Sequence, residues 1–226
     1  MICCTERKER RMGKREDNRA EKERTILEVA ERLFLEKGLE ETNMNRIAEA
    51  CGMSKGLLFY YFGSKDRLAL AILWKHTAEE MDSIFRELEH LRGDGRAKIA
   101  RLFSSILTQR DEAIERLKPL FRMRQYILNR VLSGSMEKGD LEVYQEIFVT
   151  SVKPFELLIA EGQRDGSIRP DVIPFEAAVR ISVPLGAALE YHAAFRHMKS
   201  MRPILSIEQL MLLLDVMIGH LKPKEI

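Results

Sequence analysis

Apolar residues recur every three to four positions through most of the chain, which is the spacing of one face of an α-helix. Over residues 20–37 this face is formed by Ile26, Ala30 and Phe34, and Gly38 follows as a typical helix end. The same spacing predicts six further helices, at residues 64–90, 96–110, 112–133 with a break near Pro119, 141–164 with a bend at Pro154, 174–198 and 206–222. No stretch alternates apolar and polar residues as a strand would, so the sequence predicts an all-α protein.

Residues 42–65 predict two short helices joined by a tight turn. Thr42 is expected to cap the first helix by accepting a backbone N–H, and Ser54 to cap the second in the same way. Gly52 suits the turn because glycine adopts positive φ at little cost, and Gly63 is expected to end the second helix. Five residues are expected to face inward: Met44, Ile47, Ala48, Leu58 and Phe62.

The second short helix is left with a small, basic and aromatic outward face, which suits a DNA groove. Lys55 and the hydroxyl groups of Tyr60 and Tyr61 can reach phosphate oxygens or base edges. Leu57 can meet a thymine methyl group, and Gly56 lets a partner approach the helix backbone.

Lys65 is expected in the first turn of the next helix, with Ser64 as its cap. A cation does not suit the positive end of a helix dipole. We therefore expect Lys65 and the free N–H groups to form an anion site for a phosphate group.

The fixed positions of this stretch resemble the DNA-binding domain of the tetracycline-repressor (TetR) family. They are Thr42, Ile47, Ala48, Gly52, Ser54, Lys55, Gly56, Tyr61, Phe62, Lys65 and Leu68. The first helix, ended by Gly38, is also similar in length and spacing, so the resemblance covers residues 22–68. Leu57 and Phe59 depart from the common pattern, which bears on the DNA sequence that is recognised and not on the fold.

The resemblance implies an N-terminal three-helix, helix-turn-helix DNA-binding domain and a C-terminal helical bundle that binds a ligand and dimerises. It also implies that the chain acts as a homodimer on double-stranded DNA, as a repressor rather than an activator. The DNA contacts that it implies are Thr42, Ser54, Lys55, Gly56, Leu57, Tyr60, Tyr61 and Lys65.

The two closing helices indicate how such a dimer would form. Residues 174–198 are rich in alanine and glycine, which permit close helix approach, and residues 206–222 carry a wide apolar face. These faces exceed what one core needs, so we expect a four-helix dimer interface within residues 174–222. Pairing would hold two DNA-binding units about 34–36 Å apart, the spacing of successive major grooves.

Aromatic and methionine side chains on the central helices suggest a cavity for a small apolar or aromatic effector. The candidates are Trp74, Met81, Phe85, Phe103, Phe121, Tyr126, Tyr144, Phe148, Phe155 and Tyr191. Taken singly, each of them fits ordinary core packing equally well.

The chain is expected to divide into residues 1–19, 20–66 and 67–226. The first segment carries many charges and little apolar surface, so we expect it to remain disordered. Its excess of basic residues fits an arm that contacts phosphate or the minor groove, and it equally fits a solvated tail. Met12 is a second possible start. Residues 20–66 form the predicted DNA-binding domain, and residues 67–226 the effector-binding and dimerisation domain.

Composition restricts the remaining functions. A net charge of +2 argues against binding of DNA by bulk charge alone. The cysteines Cys3, Cys4 and Cys51 lack the spacing of a disulfide framework or a zinc site. We therefore predict no metal, no cofactor and a reducing, cytoplasmic location. No membrane span is predicted. Enzyme signatures such as G-x-S-x-G or a P-loop are absent, so no enzyme is predicted. The alternatives to a ligand-responsive repressor are an activator of the same fold and an all-helical ligand-binding or interaction protein without DNA function.

Overall fold

The computed structural model describes the backbone of residues 2–108, 111–195 and 207–223, and the side chains of residues 17–106, 117, 119–192 and 208–223. Within these ranges the chain forms nine helices and no strand, so the all-α prediction is confirmed. The helices are α1 (Ile2–Lys37), α2 (Met44–Ala50), α3 (Lys55–Phe62), α4 (Lys65–His90), α5 (Gly95–Thr108), α6 (Asp111–Leu132), α7 (Lys138–Asp165), α8 (Pro174–Phe195) and α9 (Ile207–Gly219). The predicted helix ends at 109–110, 196–198 and 206 lie outside the described residues.

The helices belong to two compact units. Met1–Trp74 and Arg122–Val143 form the first, which we call the head, and Lys75–Phe121 and Tyr144–Ile226 form the second, which we call the body. This division differs from the predicted boundary at residue 66. The order of the sequence places residues 122–143 in the second domain, although they join the first 74 residues in space.

Helix α1 is longer than predicted: it begins at Ile2, whereas the sequence predicted a start at residue 20. Our prediction weighed only the apolar surface that residues 1–19 could bury. Arg, Lys and Glu are good helix formers, and extending an existing helix adds one hydrogen bond per residue without a new nucleation cost. The Arg19 Nε bonds the Glu23 Oε1 at 2.8 Å, a favourable pair across one helical turn.

The head is built around the apolar face of α1. Ile26 and Phe34 of α1, Ile47 of α2, Leu58 of α3 and Leu68 of α4 have no exposed surface. Burial of this kind stabilises by about 1.5–3 kcal/mol per large aliphatic or aromatic side chain. It therefore fixes the two short helices, which are too short to be stable alone.

The structure agrees with one of the two predicted caps of the short helices. Ser54 caps α3 as predicted, with its Oγ 3.2 Å from the N–H of Leu57. The predicted cap of α2 was wrong by one residue, since the Asn43 Oδ1 accepts the N–H of Arg46 at 3.0 Å. Asparagine competes well with threonine at this position, and Thr42 has a different role, described below.

Helix α6 runs unbroken through Pro119, so the predicted break there was wrong. A proline inside a helix costs about 3 kcal/mol. The burial of Leu120, Met123 and Ile127 in the following turns offsets that cost. Pro154 likewise lies inside a continuous α7.

The body has one main core, to which α4, α5, α7, α8 and α9 contribute. Helix α9 packs on α5 and α8. The rings of Phe103 and Phe155 stack at the centre of this core, with centroids 4.6 Å apart. Where α7 ends, the carboxylate of Asp165 accepts the N–H groups of Gly95 at 2.7 Å and Ser167 at 2.9 Å. These bonds tie the start of α5 to the end of α7.

Candidate nucleic-acid interface and effector cavity

Helix α3 presents nearly all of its surface to solvent. Its one fully buried residue is Leu58, and Gly63 ends it with φ 71°. Tyr60 is 71% exposed, the highest value on this helix. We name Ser54, Lys55, Gly56, Leu57 and Tyr60, all of them exposed, the recognition surface. Five of the eight predicted DNA contacts are thus exposed to solvent on α3 and its cap.

Gly56 in this surface is not required by the fold. Its φ is not positive, and a Cβ placed there would meet no atom within 4 Å. A glycine inside a helix costs about 0.5–1 kcal/mol relative to alanine. Since internal packing gives no reason for this cost, the glycine fits a position that another backbone must approach closely.

Aromatic rings make two contacts along α3. The Lys55 Nζ lies 5.6 Å from the centroid of the Phe59 ring, one helical turn away. The rings of Tyr60 and Tyr61 meet edge to face at 5.6 Å, and Tyr61 is half-buried. Phe59 is 39% exposed and was not among the predicted contacts. The sequence signal that could have added Phe59 to the contacts is its spacing of four residues from Lys55, which places the two side chains on neighbouring turns.

Thr42 does not belong to this surface, which does not support its predicted role as a DNA contact. The residue has no exposed area. Its hydroxyl donates to the carbonyl oxygen of Gly38 at 2.7 Å. Thr42 therefore closes the end of α1 and supports the short helices from within.

Lys65 is also engaged inside the head. Its Nζ donates to the carbonyl oxygen of Leu39 at 2.9 Å and lies 5.2 Å from the centroid of the Tyr126 ring. The Ser64 Oγ caps α4 as predicted, accepting the N–H of Arg67 at 3.1 Å. The ammonium group thus joins the segment before α2 to α4 and α6. These contacts favour a positioning role over the predicted phosphate site.

A set of charged side chains, which we call the α4 clamp, was not predicted from the sequence. The Asp66 carboxylate accepts the Tyr126 hydroxyl at 2.6 Å and the Arg130 guanidinium at 2.9 Å. The Arg67 guanidinium donates to Asp140 at 2.9 Å. A weaker, more exposed bond joins Arg67 to Glu137 at 3.1 Å. The clamp therefore binds the first turn of α4 to the end of α6 and the start of α7.

Burial of Tyr126, followed by its bond to Asp66, raises the pKa of the Tyr126 hydroxyl. The hydroxyl therefore remains a proton donor to Asp66 at physiological pH. No local pattern signals the clamp, because its partners are 60 to 73 residues apart. The signals that exist are an acidic residue in the first turn of α4 and a basic one in the last turn of α6.

The predicted effector residues do not all come together. Trp74 and Tyr126 belong to the head. In the body, Met81, Phe103 and Phe155 are buried in the main core, and Phe85 and Tyr191 are exposed. The half-buried ones are Phe121, Tyr144 and Phe148. Amphipathic spacing identifies buried faces, and it does not separate core from the wall of a cavity.

The body contains a cavity of about 270 Å³ between α4, α5 and α6, and none of the predicted effector residues lines it. Its apolar wall consists of Ile84, Ile106, Leu117 and Leu120. Its polar wall comes from α4 and consists of His76, Glu79, Glu80, Ser83, Arg86 and Glu87. A cavity of this size suits a small molecule, and three carboxylates make its polar wall acidic.

Neither a metal site nor a membrane-spanning helix is found in the described residues. Among the described side chains, no three His, Cys, Asp or Glu residues lie close enough together to hold a metal ion. In the part of the chain that the structure describes, no helix is both long and apolar enough to cross a membrane.

The geometry of the head agrees with comparisons to known proteins. The model of the bacterial regulatory proteins of the tetR family matches residues 26–72. The chain is 32% identical over 105 residues to the HTH-type transcriptional regulator YuxN of Bacillus subtilis, covering 43% of this chain and 35% of the relative. It is 37% identical over 70 residues to the HTH-type transcriptional repressor AcnR of Corynebacterium efficiens, covering 30% and 37%. The chain thus spans about a third of the length of these curated relatives.

A solved structure extends the likeness to the whole fold. A TetR-family transcriptional regulator from Mesorhizobium loti superposes with a TM-score of 0.61 at 18% identity, covering 90% of this chain and 96% of that one. At this identity the superposition supports the fold alone. The likeness to the family rests on the match at residues 26–72. Residues 26–72 thus match the tetR family of bacterial regulatory proteins, and the described fold is similar to that of a TetR-family regulator.

Proposed function

We propose that the chain is a transcriptional regulator that binds a palindromic operator as a homodimer and releases it when a small molecule binds the body. The observation that carries the proposal is the recognition surface. Its serine, lysine and tyrosine can bond phosphates and base edges, while Leu57 can contact a thymine methyl group. Gly56 supports close approach of DNA, because the fold itself does not need a glycine there.

Exposed apolar residues on α8 and α9 support dimerisation through residues 174–222. Val183 and Tyr191 of α8 are 46% and 55% exposed and lie eight residues apart, on one helical face. Leu212 and Val216 of α9 are 66% and 54% exposed and lie one turn apart. A second copy of the chain would bury both pairs, and two heads would then contact successive major grooves about 34–36 Å apart.

The cavity of the body supports binding of a small effector. Its leucine and isoleucine side chains lie beside carboxylates of α4, and its described lining residues include no phenylalanine, tyrosine or tryptophan. We therefore replace the expectation of a purely apolar or aromatic effector. The effector that we propose has an apolar part and a polar or positively charged group that bonds the carboxylates.

Helix α4 is the proposed link between effector and DNA. Its residues 76–87 line the cavity, and Asp66 and Arg67 in its first turn hold the α4 clamp. A ligand that binds one position of α4 better than another shifts the population of head positions. The coupling is reciprocal and is typically about 1–3 kcal/mol.

Repression rather than activation is proposed because the relative AcnR is named a repressor. An activator of the same fold would bind DNA equally well. The two are distinguished by transcription of a reporter placed behind the operator, in cells with and without the chain. Lower transcription with the chain supports repression, and higher transcription supports activation.

The DNA-binding proposal is tested by selection from a random-sequence duplex library with the full chain. We expect a palindromic sequence to be enriched, and native mass spectrometry to show two chains, or a multiple of two, on the selected duplex. Recovery of no shared sequence would contradict the proposal and would favour an all-helical ligand-binding or interaction protein. A single chain on the duplex would contradict the homodimer alone.

The effector proposal is tested by native mass spectrometry of the protein as purified from cells. A co-purified small molecule would identify the chemical class, and adding it should weaken binding to the selected duplex. A compound that binds the chain and leaves DNA affinity unchanged would contradict the coupling for that compound.

A further inference from the structure

Helix α3 is mostly apolar although most of its surface lies in solvent. Six of the eight residues of Lys55–Phe62 are leucine, phenylalanine or tyrosine. Only Leu58 among them is fully buried, while Leu57 and Phe59 are 36% and 39% exposed. A single exposed apolar residue is ordinary in a folded protein. Two of them beside the exposed Tyr60, on so short a helix, indicate a surface that another molecule covers.

The two exposed apolar side chains lie on opposite sides of the outward face. Successive residues of an α-helix are about 100° apart around its axis. Gly56 and Tyr60 are therefore about 160° and 200° from the buried Leu58, at the centre of the outward face. Leu57 and Phe59 lie about 100° to either side of Leu58, so they flank this centre.

The centre of the outward face is low at Gly56. A Cβ placed on this residue would meet no atom within 4 Å, so the space in front of the backbone is open. A helix with glycine at this position can approach the floor of the major groove closely. The side chains of Leu57 and Phe59 can then reach base edges, whereas a helix held further out would bring them only to the level of the phosphates.

The segment from residue 54 to residue 62 offers few hydrogen-bonding groups to the bases. The usual contacts are arginine or lysine with guanine, asparagine or glutamine with adenine, and aspartate or glutamate with cytosine. Of these six residue types the segment contains one lysine, Lys55, and none of the others. Apolar side chains, phenylalanine included, contact the C5 methyl group of thymine. The composition of α3 therefore favours recognition of thymine.

Phe59 shares its side of the helix with the cation. The Lys55 Nζ lies 5.6 Å from the centroid of the Phe59 ring. This contact holds the ammonium group next to the ring. A guanine or phosphate bound by Lys55 would therefore have the thymine contacted by Phe59 as a near neighbour. On the other side, Leu57 has the half-buried Tyr61 one helical turn away.

We propose that Phe59 and Leu57 determine the operator sequence by contacting C5 methyl groups of thymine on either side of α3. This inference rests on the proposed DNA-binding function and deepens it, because it names the base that each half-site must contain. The sequence predicted a methyl contact for Leu57 alone and left Phe59 out. With Phe59 included, methyl contacts and not hydrogen bonds supply most of the discrimination between bases by α3.

The test removes single methyl groups from the DNA and leaves the protein unchanged. In the duplex that the full chain selects, each thymidine is replaced in turn by deoxyuridine, which keeps the O4 acceptor and the base-pairing groups but lacks the C5 methyl group. We expect affinity to fall about fourfold at thymines of both half-sites, the factor that corresponds to burial of one methyl-sized apolar group. Thymines outside the half-sites should tolerate the replacement.

Two variants of the full chain assign the methyl groups to residues through double-mutant cycles. Phe59→Ala and Leu57→Ala should each weaken binding to the thymine duplex, and each should abolish the effect of deoxyuridine at one position. The control Leu141→Ala changes another leucine of the head that is 36% exposed. It should keep both the parent affinity and the parent response to deoxyuridine.

The outcomes separate this inference from the proposed function. Parent affinity with deoxyuridine at every thymine of the half-sites, or half-sites without thymine, would overturn the proposal. A response to deoxyuridine that persists undiminished in both Phe59→Ala and Leu57→Ala would also overturn it. In these cases a selected palindrome would still support the proposed function, so only recognition by methyl contact fails. If the full chain selects no sequence, both fail together.

Discussion

The recognition surface and the cavity of the body are built in different ways. The recognition surface comes from residues 54–60, whose positions are set by one short helix, its serine cap and the burial of Leu58. The cavity is lined by residues between 76 and 120, which three helices bring together. Residues in the first site are neighbours in sequence, whereas those in the second are neighbours only in the folded body.

This difference explains why one site is visible in the sequence and the other is not. Cap, glycine turn and inward residues determine which way α3 faces, and these are local signals. The wall of a cavity depends on how helices pack, which amphipathic spacing does not determine. A change in the first region should therefore act on DNA binding directly, and a change elsewhere should act through folding or through α4.

The largest expected effect breaks the support beneath the recognition surface. Phe34→Ala removes a ring with no exposed surface from the head, which should lower the free energy of unfolding by about 3–5 kcal/mol. Chemical denaturation followed by the fluorescence of Trp74, the single tryptophan, measures it in the head. The control Phe59→Ala, at a ring 39% exposed, should cost clearly less than Phe34→Ala, because less of its surface is buried. Equal denaturation midpoints for Phe34→Ala and Phe59→Ala would contradict the burial of Phe34 in the core of the head.

The second prediction concerns the α4 clamp. Asp66→Asn removes the negative charge of the carboxylate that accepts hydrogen bonds from Tyr126 and Arg130. This should destabilise the head by about 1–3 kcal/mol. The control Glu137→Gln changes a carboxylate that is 75% exposed in its pair with Arg67, so the loss of stability should be below about 1 kcal/mol. Urea denaturation compares the two. A larger destabilisation by Glu137→Gln would show that the clamp is not centred on Asp66.

The third prediction separates the effect on folding from the effect on DNA binding of a single added methyl group. Gly56→Ala should stabilise α3 by about 0.5–1 kcal/mol and yet weaken DNA binding, because the added methyl group lies in open space on the recognition surface. Gly139→Ala is matched, since Gly139 is the second residue of α7, is exposed and also has open space around its Cβ position. It should stabilise the protein and leave DNA affinity unchanged. Unchanged affinity in Gly56→Ala would remove Gly56 from the interface.

The smallest expected effect lies in the body and depends on pH. The Ser167 and Gly95 hydrogen bonds lower the pKa of Asp165. A lowered folded-state pKa stabilises above the unfolded value of about 4, and this stabilisation is lost as pH falls through the folded-state value. Asp165→Asn should cost less than about 1 kcal/mol at pH 7, because the residue is exposed. Urea midpoints of the two proteins should converge as pH falls below about 4, and a difference that widens would contradict this.

Much of the head and the positions of the helices followed from the sequence. Ser54, Gly63 and Ser64 were placed correctly because cap and turn chemistry depends on a few adjacent residues. The hydrogen bonds of Thr42 and Lys65 were not predicted, because they join these side chains to carbonyl groups of Gly38 and Leu39 that only the folded head brings near. The α4 clamp and the cavity join residues far apart in sequence, so no local pattern predicted them.

The central claim is that the outward face of α3 contacts DNA, and one binding measurement tests it most directly. Fluorescence anisotropy of the selected duplex is compared for the parent chain, Lys55→Ala, Tyr60→Phe and the control Lys222→Ala, which changes an exposed lysine after α9. We expect both α3 variants to bind more weakly, with unchanged helical circular dichroism and unchanged oligomeric mass, and Lys222→Ala to bind like the parent. Parent-like affinity in both α3 variants would contradict the account.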